Sequence, residues 1–205
     1  YVPAKVISDK VILDVNRIHY ILVKVPDKAV LVQELLNELD ELRPAHDLES
    51  NQYYLHEYAH ASRFDTREVI FIKRMLQKAL PLQLREEITG KLFAKYVTND
   101  EKAFHEELYM SKDQIIELKR NGMHIGTHGL NHYWLASLPI EEQRKEIEDS
   151  LDLLQSIGCD IDAWTMCYPY GDYNDHTPKI FADNHSKPSH TLELQTGSAP
   201  LRDRV

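Results

Sequence analysis

Cysteine, long hydrophobic runs and basic charge are all scarce in this sequence of 205 residues. The two cysteines, Cys159 and Cys167, exclude a disulfide framework and a cysteine-only zinc knuckle, and they favour a reducing compartment such as the cytoplasm. No apolar run approaches the roughly 20 residues that a membrane-spanning helix needs. The net charge of −9 argues against a basic surface for nucleic acid. We therefore expect no nucleic-acid partner and no integral membrane segment in this chain.

Glycine is rare in the first half of the chain and more frequent in the second. Of the seven glycines, the first is Gly90, and the other six lie between Gly122 and Gly197. Glycine marks tight turns and places where the backbone approaches other groups closely. We therefore expect long helices with few sharp turns in the first half, and an alternation of helices, strands and loops in the second.

Apolar residues at steps of four predict amphipathic helices in the first half. In the helix predicted over residues 27–43, Leu31, Leu35 and Leu39 lie on one face. The same kind of spacing predicts three further helices, over residues 66–79, 83–97 and 99–108. Because each of these helices has an apolar face, each is expected to pack against another element.

Two further helices are predicted after Ser111. Ser111 and Gln114 form a capping-box pattern at the start of the first of them, and Gly122 follows its predicted end. The second is an amphipathic helix over residues 140–157. Its glutamates, Glu146 among them, are expected to form a solvated face.

Short apolar segments lie between and after these helices. Residues 123–127 and 163–168 are predicted to be strands. The order helix, strand, helix, strand is typical of the α/β class, in which a crossover helix joins two parallel neighbours. The sequence therefore predicts an α/β fold with a parallel sheet.

Two histidines follow the end of the first predicted strand. His128 and His132 are four residues apart, and ligands of α/β proteins bind at the carboxyl ends of the strands. Neutral imidazole binds zinc and other divalent transition metals. The pair is thus a candidate metal site, and hydrogen bonding within a loop is the alternative explanation.

A second histidine pair matches the zinc-peptidase pattern H-E-x-x-H. On a helix, His56 and His60 would share one face, and Glu57 would be the general base for a zinc-bound water. The extended form of the motif needs Gly at position 63 and His at position 66, where this chain has Arg63 and Thr66. A zinc metallopeptidase remains an alternative function, and a polar helix surface in a tyrosine-rich stretch is the simpler explanation.

Two motifs in the second half resemble those of a known family. The string Thr127-His-Gly-Leu-Asn-His132 is followed about thirty-five residues later by Tyr168-Pro-Tyr-Gly171. Together they are similar to the metal-binding motif and the Pro-Tyr-Gly motif of the polysaccharide deacetylases with a NodB homology domain, carbohydrate esterase family 4. The resemblance extends over residues 111–174.

The resemblance implies a fold and a division of the chain. It implies a distorted (β/α) barrel of the NodB-homology type with a helical insertion. Residues 1–26 would form the N-terminal part of the barrel, and residues 27–110 the insertion. Residues 111–205 would then be the catalytic portion that carries both motifs.

The resemblance also implies an activity. It implies a metal-dependent N-deacetylase, a hydrolase that removes the acetyl group from an N-acetylated sugar of a polysaccharide or glycan precursor. By the family's pattern, His128 and His132 would be ligands of a divalent metal, with zinc expected first. Pro169, Tyr170 and Gly171 would wall the substrate groove, and the Tyr170 backbone N–H would help to hold the oxyanion.

The chain departs from the family pattern at several points. It contains no Asp-Asp motif, which supplies the family's catalytic base and third metal ligand and would lie upstream of Tyr1. Cys167 stands where many members have Arg, and the late motifs are absent unless His190 replaces the general acid. We therefore expect a fragment that has little activity by itself. A non-catalytic glycan-binding relative is a further alternative.

Overall fold

The structure, a computed structural model, describes residues 1–184, which are mainly helical. Their α-helices, in chain order, are α1 (Lys5–Ser8), α2 (Asp14–Lys24), α3 (Lys28–Leu42), α4 (Asn51–Tyr58), α5 (Arg67–Arg74), α6 (Leu82–Tyr96), α7 (Glu101–Leu108), α8 (Lys112–Arg120), α9 (Ile140–Ser156) and α10 (Thr177–Asp183). A π-helical turn covers Met75–Ala79, and 3₁₀ turns cover Leu135–Ser137 and Pro169–Gly171. The weakly patterned tail from His185 onward, with His190, lies outside the described residues.

The chain divides into two compact units. The helical unit is Asp14–Asp100, a continuous stretch that contains α2 to α6. The discontinuous unit joins Tyr1–Leu13 to the part of the chain after residue 100, with α1 and α7 to α10. The unit boundaries therefore lie near residues 14 and 100.

In the helical unit the leucine stripe forms the expected buried face. Leu31, Leu35 and Leu39 of α3 are each 1% exposed or less. The Asp27 side chain caps this helix by accepting a hydrogen bond from the Ala29 backbone N–H at 3.0 Å. Helix α3 packs on α5, and α2 packs on α6, around core side chains that include Phe71. The helices predicted over 27–43 and 83–97 are confirmed.

The helix predicted over 66–79 is also present, but its last turn widens. After α5 the Leu80 N–H reaches back five residues to the Met75 carbonyl, at 3.4 Å. Pro81 follows directly and has no N–H with which to continue the helix. The Arg85 guanidinium donates a hydrogen bond to the carbonyl of Gln77 inside this π turn, so that a carbonyl at the end of the helix gains a partner.

The discontinuous unit has its own hydrophobic core, to which α8, α9, α10 and the segments between them contribute. Ile115, Ile147, Trp164 and Phe181 belong to it. The rings of Trp164 and Phe181 have centroids 4.0 Å apart. The predicted capping box is present, because the Ser111 and Gln114 side chains each accept a hydrogen bond from the other residue's N–H.

The predicted (β/α) barrel is wrong. Within residues 1–184 the extended segments pair only through isolated parallel bridges, one between Val2 and Thr127 and one between Thr127 and Met166. Residues 123–127 and 163–168 are thus parallel neighbours without forming the expected strands. Gly129, which turns the backbone with φ 75°, and Pro169, which lacks an N–H, limit the pairing only on the carboxyl side of these bridges.

The N-terminal segment that was expected to belong to the barrel is mainly helical. Residues 1–26, expected to be part of the barrel, contain α1 and α2 in addition to the paired Val2. None of the described helices combines the length and the apolar composition of a membrane span.

Candidate functional site

The two sequence motifs lie side by side in the discontinuous unit. The Thr127 N–H donates to the Thr165 carbonyl at 2.9 Å, and the Cys167 N–H donates to the Thr127 carbonyl at 3.0 Å. On the other side of Thr127, the His128 N–H donates to the Val2 carbonyl at 3.0 Å. Because the paired segments are parallel, the residues that follow them emerge at the same edge.

His128 is held at this edge by its own ring. Its Nδ1 lies 2.6 Å from the Cys167 carbonyl oxygen, and since a carbonyl only accepts hydrogen bonds, Nδ1 carries the proton. The Nε2 lone pair is then the one available to a ligand. Burial lowers the pKa of His128, against the opposing effect of this hydrogen bond, so the ring is neutral at neutral pH. Neutral imidazole with one nitrogen anchored is the form that binds metal ions.

His132 reaches the same place through an unusual turn. Its φ is 64°, in the left-handed region that residues other than glycine seldom adopt, and Gly129 of the same loop has φ 75°. The centroids of the His128 and His132 rings are 4.6 Å apart, with an interplanar angle of 76°. The four-residue spacing therefore brings the rings together through a tight loop that contains two residues with positive φ.

The Pro-Tyr-Gly segment stands against this histidine pair. Tyr170 lies in the 3₁₀ turn Pro169–Gly171 with φ 58°, and its ring is edge-on to His132 with the centroids 4.8 Å apart. The other neighbour of Tyr170 is Trp134, which stacks on it at 4.4 Å and 8°. The four rings form a continuous aromatic row at one site. Tyr170 is 37% exposed, so the row reaches the surface of the unit.

A carboxylate ties the two motif segments together beyond the rings. The Asp172 side chain, just after the Pro-Tyr-Gly turn, accepts a hydrogen bond from the Ala136 N–H at 2.7 Å. Ala136 belongs to the 3₁₀ turn that directly follows Trp134. The contact therefore helps to hold Trp134 over Tyr170.

The histidine pair meets part of the requirement for a metal centre. Structural and catalytic zinc sites use three or four protein ligands. The two imidazoles are close together, and His128 has the anchored, neutral ring that such sites use. Within residues 1–184, however, no group of three or more His, Cys, Asp or Glu is placed to hold a metal ion. The histidine pair alone would supply two of the ligands that such a centre requires.

The H-E-x-x-H segment is arranged differently. Helix α4 ends at Tyr58, and Ala59 leaves the helical conformation with ψ 64°, so His60 lies beyond the helix. His56 is 82% exposed in its side chain, and its Nδ1 lies 2.8 Å from the carboxylate of the adjacent Glu57. The two histidines therefore do not share a helical face, and the zinc-peptidase geometry does not form.

Sequence reasoning missed one residue beside the histidine loop. Glu146 was expected on a solvated face of α9 but is 5% exposed, and its carboxylate accepts hydrogen bonds from Leu130 and Asn131. A signal was present in the sequence, because Glu146 lies four residues before Ser150 and eight before Leu154, both of them on the buried face of the helix. Burial raises the pKa of this carboxyl, partly offset by its hydrogen bonds.

Comparison with known families agrees with the motif resemblance. The family model described as polysaccharide deacetylase matches residues 71–188, more than half of the chain, and the chain belongs to this family. The matched range includes both motifs and also residues 71–110, which the sequence assigned to an insertion. No curated protein and no solved structure matches the chain. Family membership supports a carbohydrate deacetylase, a hydrolase of carbon–nitrogen bonds with an N-acetylated carbohydrate as substrate.

Proposed function

We propose that this chain carries the metal-binding and substrate-facing part of a metal-dependent N-deacetylase of N-acetylated sugars. His128 and His132 are the proposed ligands of a divalent ion, zinc first. The observation that carries the proposal is the convergence of the two imidazoles, 4.6 Å apart, beside the Pro-Tyr-Gly turn. Both motifs also lie inside the range that matches the polysaccharide deacetylase family.

Hydrolysis of an acetamide requires a nucleophilic water, a base, a stabiliser for the oxyanion and an acid for the leaving amine. A divalent ion, when bound, polarises the carbonyl and lowers the pKa of its water toward about 7. His128 contributes a neutral ring whose Nδ1 is anchored on the Cys167 carbonyl, which leaves Nε2 for the ion. The backbone N–H of Tyr170 is the proposed donor to the oxyanion.

The aromatic row is the proposed contact for the sugar. Trp134 and Tyr170 are stacked in parallel at 4.4 Å beside the histidine pair. Aromatic faces pack well against the C–H surfaces of sugar rings, because both are apolar. The 3₁₀ turn Pro169–Gly171 then forms the wall of the groove, as the family resemblance implies.

The incomplete ligand set limits the rate expected of this chain. No carboxylate among residues 1–184 joins the two histidines to make a metal centre, so neither a third ligand nor a base is in place there. The loss of a general base alone typically costs 10²- to 10⁴-fold in rate, roughly. This observation favours a second candidate function, a glycan-binding relative without catalysis. Binding of N-acetylated oligosaccharides with no release of acetate would support it.

Zinc titration of single-residue variants tests the proposed metal site. We expect His128→Ala and His132→Ala to lose zinc binding, and His56→Ala to retain it. His56→Ala is a matched control because it also removes one imidazole, from an exposed position. Loss of binding in His56→Ala, with none in His128→Ala, would contradict the proposal and restore the peptidase hypothesis.

A further inference from the structure

The loop between the two histidines is held from both sides. Its Gly129 and Leu130 carbonyls accept hydrogen bonds from the Ala4 and Lys5 N–H groups, at 2.9 and 3.1 Å. Its Leu130 and Asn131 N–H groups donate to Oε2 of Glu146, at 3.2 and 2.9 Å. Of the four peptide units between His128 and His132, the two central ones therefore have both their carbonyl and their N–H groups bonded.

Glu146 makes a further contact on the same loop. Its Oε1 accepts a hydrogen bond from the side-chain amide of Asn131, so one carboxylate binds three donors from two adjacent residues. The carboxylate extends from α9 to the loop and lies close to Gly129. A Cβ added to Gly129 would be 3.4 Å from Oε2 of Glu146. That distance is an ordinary contact, so it is the φ of Gly129, 75°, that disfavours a side chain there.

This contact explains how the loop keeps an unfavourable conformation. His132, directly after Asn131, has φ 64°. For a residue other than glycine this conformation is unfavourable, and it persists only when the surrounding structure imposes it. An ionisable group that is 5% exposed is also costly by itself, so the hydrogen bonds of Glu146 must be made for the arrangement to persist. The hydrogen bonds between Glu146 and the loop offset both the burial of the carboxyl group and the unfavourable φ of His132.

We propose that Glu146 is a positioning residue for the histidine pair: its carboxylate fixes the Leu130 and Asn131 peptides so that the rings of His128 and His132 converge. The proposal rests on the proposed function, because it gives Glu146 its role through these two ligands. Glu146 touches neither the sugar nor the ion in this role.

Two conservative substitutions separate geometry from charge. Glu146→Gln keeps the length of the side chain, so its oxygen can accept both backbone N–H bonds, and its amide can pair with Asn131 after that amide flips. Glu146→Asp keeps the charge but is one methylene shorter and cannot reach both peptides. A positioning role predicts that Glu146→Gln resembles the parent and that Glu146→Asp resembles Glu146→Ala. A role through charge predicts the opposite order.

The first measurement is amide hydrogen exchange on the full chain without metal. We expect the Leu130 and Asn131 amides to be protected in the parent and in Glu146→Gln, and to exchange faster in Glu146→Ala and Glu146→Asp. Glu142→Ala is the matched control, because it removes an exposed carboxylate from the same helix. Unchanged protection in both Glu146→Ala and Glu146→Asp would overturn the proposal.

The second measurement is the affinity for zinc, with circular dichroism to check that each variant is folded. Loss of a residue that orients a metal ligand typically weakens binding by about 10- to 100-fold, and we expect this for Glu146→Ala and Glu146→Asp. If Glu146→Ala fails to fold, the zinc affinities of Glu146→Asp and Glu146→Gln are compared instead. Unchanged affinity in Glu146→Asp, while His128→Ala abolishes binding, would overturn the positioning role and leave the proposed function intact. Zinc binding that survives both His128→Ala and His132→Ala would overturn both.

Discussion

The structure of the helical unit can be predicted from residues that are close together in the chain to a greater extent than that of the discontinuous unit. In the helical unit, the side chains that form the core recur at helical spacing within each segment, as Leu31, Leu35 and Leu39 do in α3. In the discontinuous unit, the groups that form the site bond to residues far away along the chain, as His128 does to Cys167 and Glu146 does to Asn131. The candidate site of this protein therefore lies in the unit whose conformation depends more on contacts between residues distant in sequence.

The largest effect is expected from the core of the helical unit. Phe71→Ala removes a ring that is fully buried, and such substitutions typically cost about 3–5 kcal/mol of unfolding free energy. Denaturant unfolding followed by circular dichroism measures this loss. Phe64→Ala is the control, because the same ring there is 82% exposed. A similar loss from both substitutions would show that the core of this unit is not where the leucine pattern puts it.

A smaller loss is expected from the loop of the discontinuous unit. Gly129→Ala puts a side chain on a residue with φ 75°, for a cost of about 1–2 kcal/mol. The added methyl also lies 3.4 Å from the Glu146 carboxylate. Thermal unfolding measures the stability, and zinc titration on the folded protein measures the site. Full stability with unchanged zinc affinity would mean that the loop tolerates another conformation.

The same substitution should have the opposite sign in the helical unit. Gly90 lies inside α6, and a Cβ added there meets no atom within 4 Å. Alanine in a helix interior is favoured over glycine by about 0.5–1 kcal/mol, so Gly90→Ala should raise the midpoint of thermal unfolding. Paired with Gly129→Ala, it tests the contrast between the units directly. Destabilisation by Gly90→Ala would break that contrast.

The smallest effect concerns pH. Burial raises the folded-state pKa of Glu146 above its usual 4.5, so its contribution to stability is present below about pH 4.5 and is lost as the pH rises through the folded-state pKa. Glu146→Gln does not ionise, so its stability relative to the parent should increase as the pH rises from about 4.5 through the folded-state pKa of Glu146, and stay level above it. Unfolding free energies at several pH values measure the difference, with Glu142→Gln as the control. A relative stability that falls with pH would give the carboxyl a lowered pKa instead.

Part of the fold and of the site could be predicted from local patterns. The stripe in α3 and the Ser111–Gln114 capping box predicted helices that the structure contains, because both depend on residues within one or two turns of each other. The two motifs are recognised from their residues, order and spacing through the resemblance to the polysaccharide deacetylases, and the structure brings the rings of His128, His132 and Tyr170 together. Their roles in binding metal and sugar stay predictions.

Local patterns gave a wrong prediction for the two parallel segments, which form isolated bridges and not strands. Apolar residues at 123–127 and 163–168 predicted strands and, with the family resemblance, a barrel. How far a strand extends depends on whether its neighbour continues alongside, which local composition does not encode. Here the pairing is confined to single bridges at Thr127 and Met166, and Gly129 and Pro169 limit it on the carboxyl side.

The main helices and the two motifs follow from local sequence, because periodicity, caps and short motifs depend on residues that are close together in the chain. Tertiary structure decided that Glu146 is buried against the histidine loop, that His132 adopts a left-handed conformation, and that His60 lies beyond the end of α4. On α9, for example, Glu142 is exposed and Glu146 is buried, although both are glutamates four residues apart. Only the hydrogen-bond donors that the rest of the chain brings to Glu146 make its burial possible.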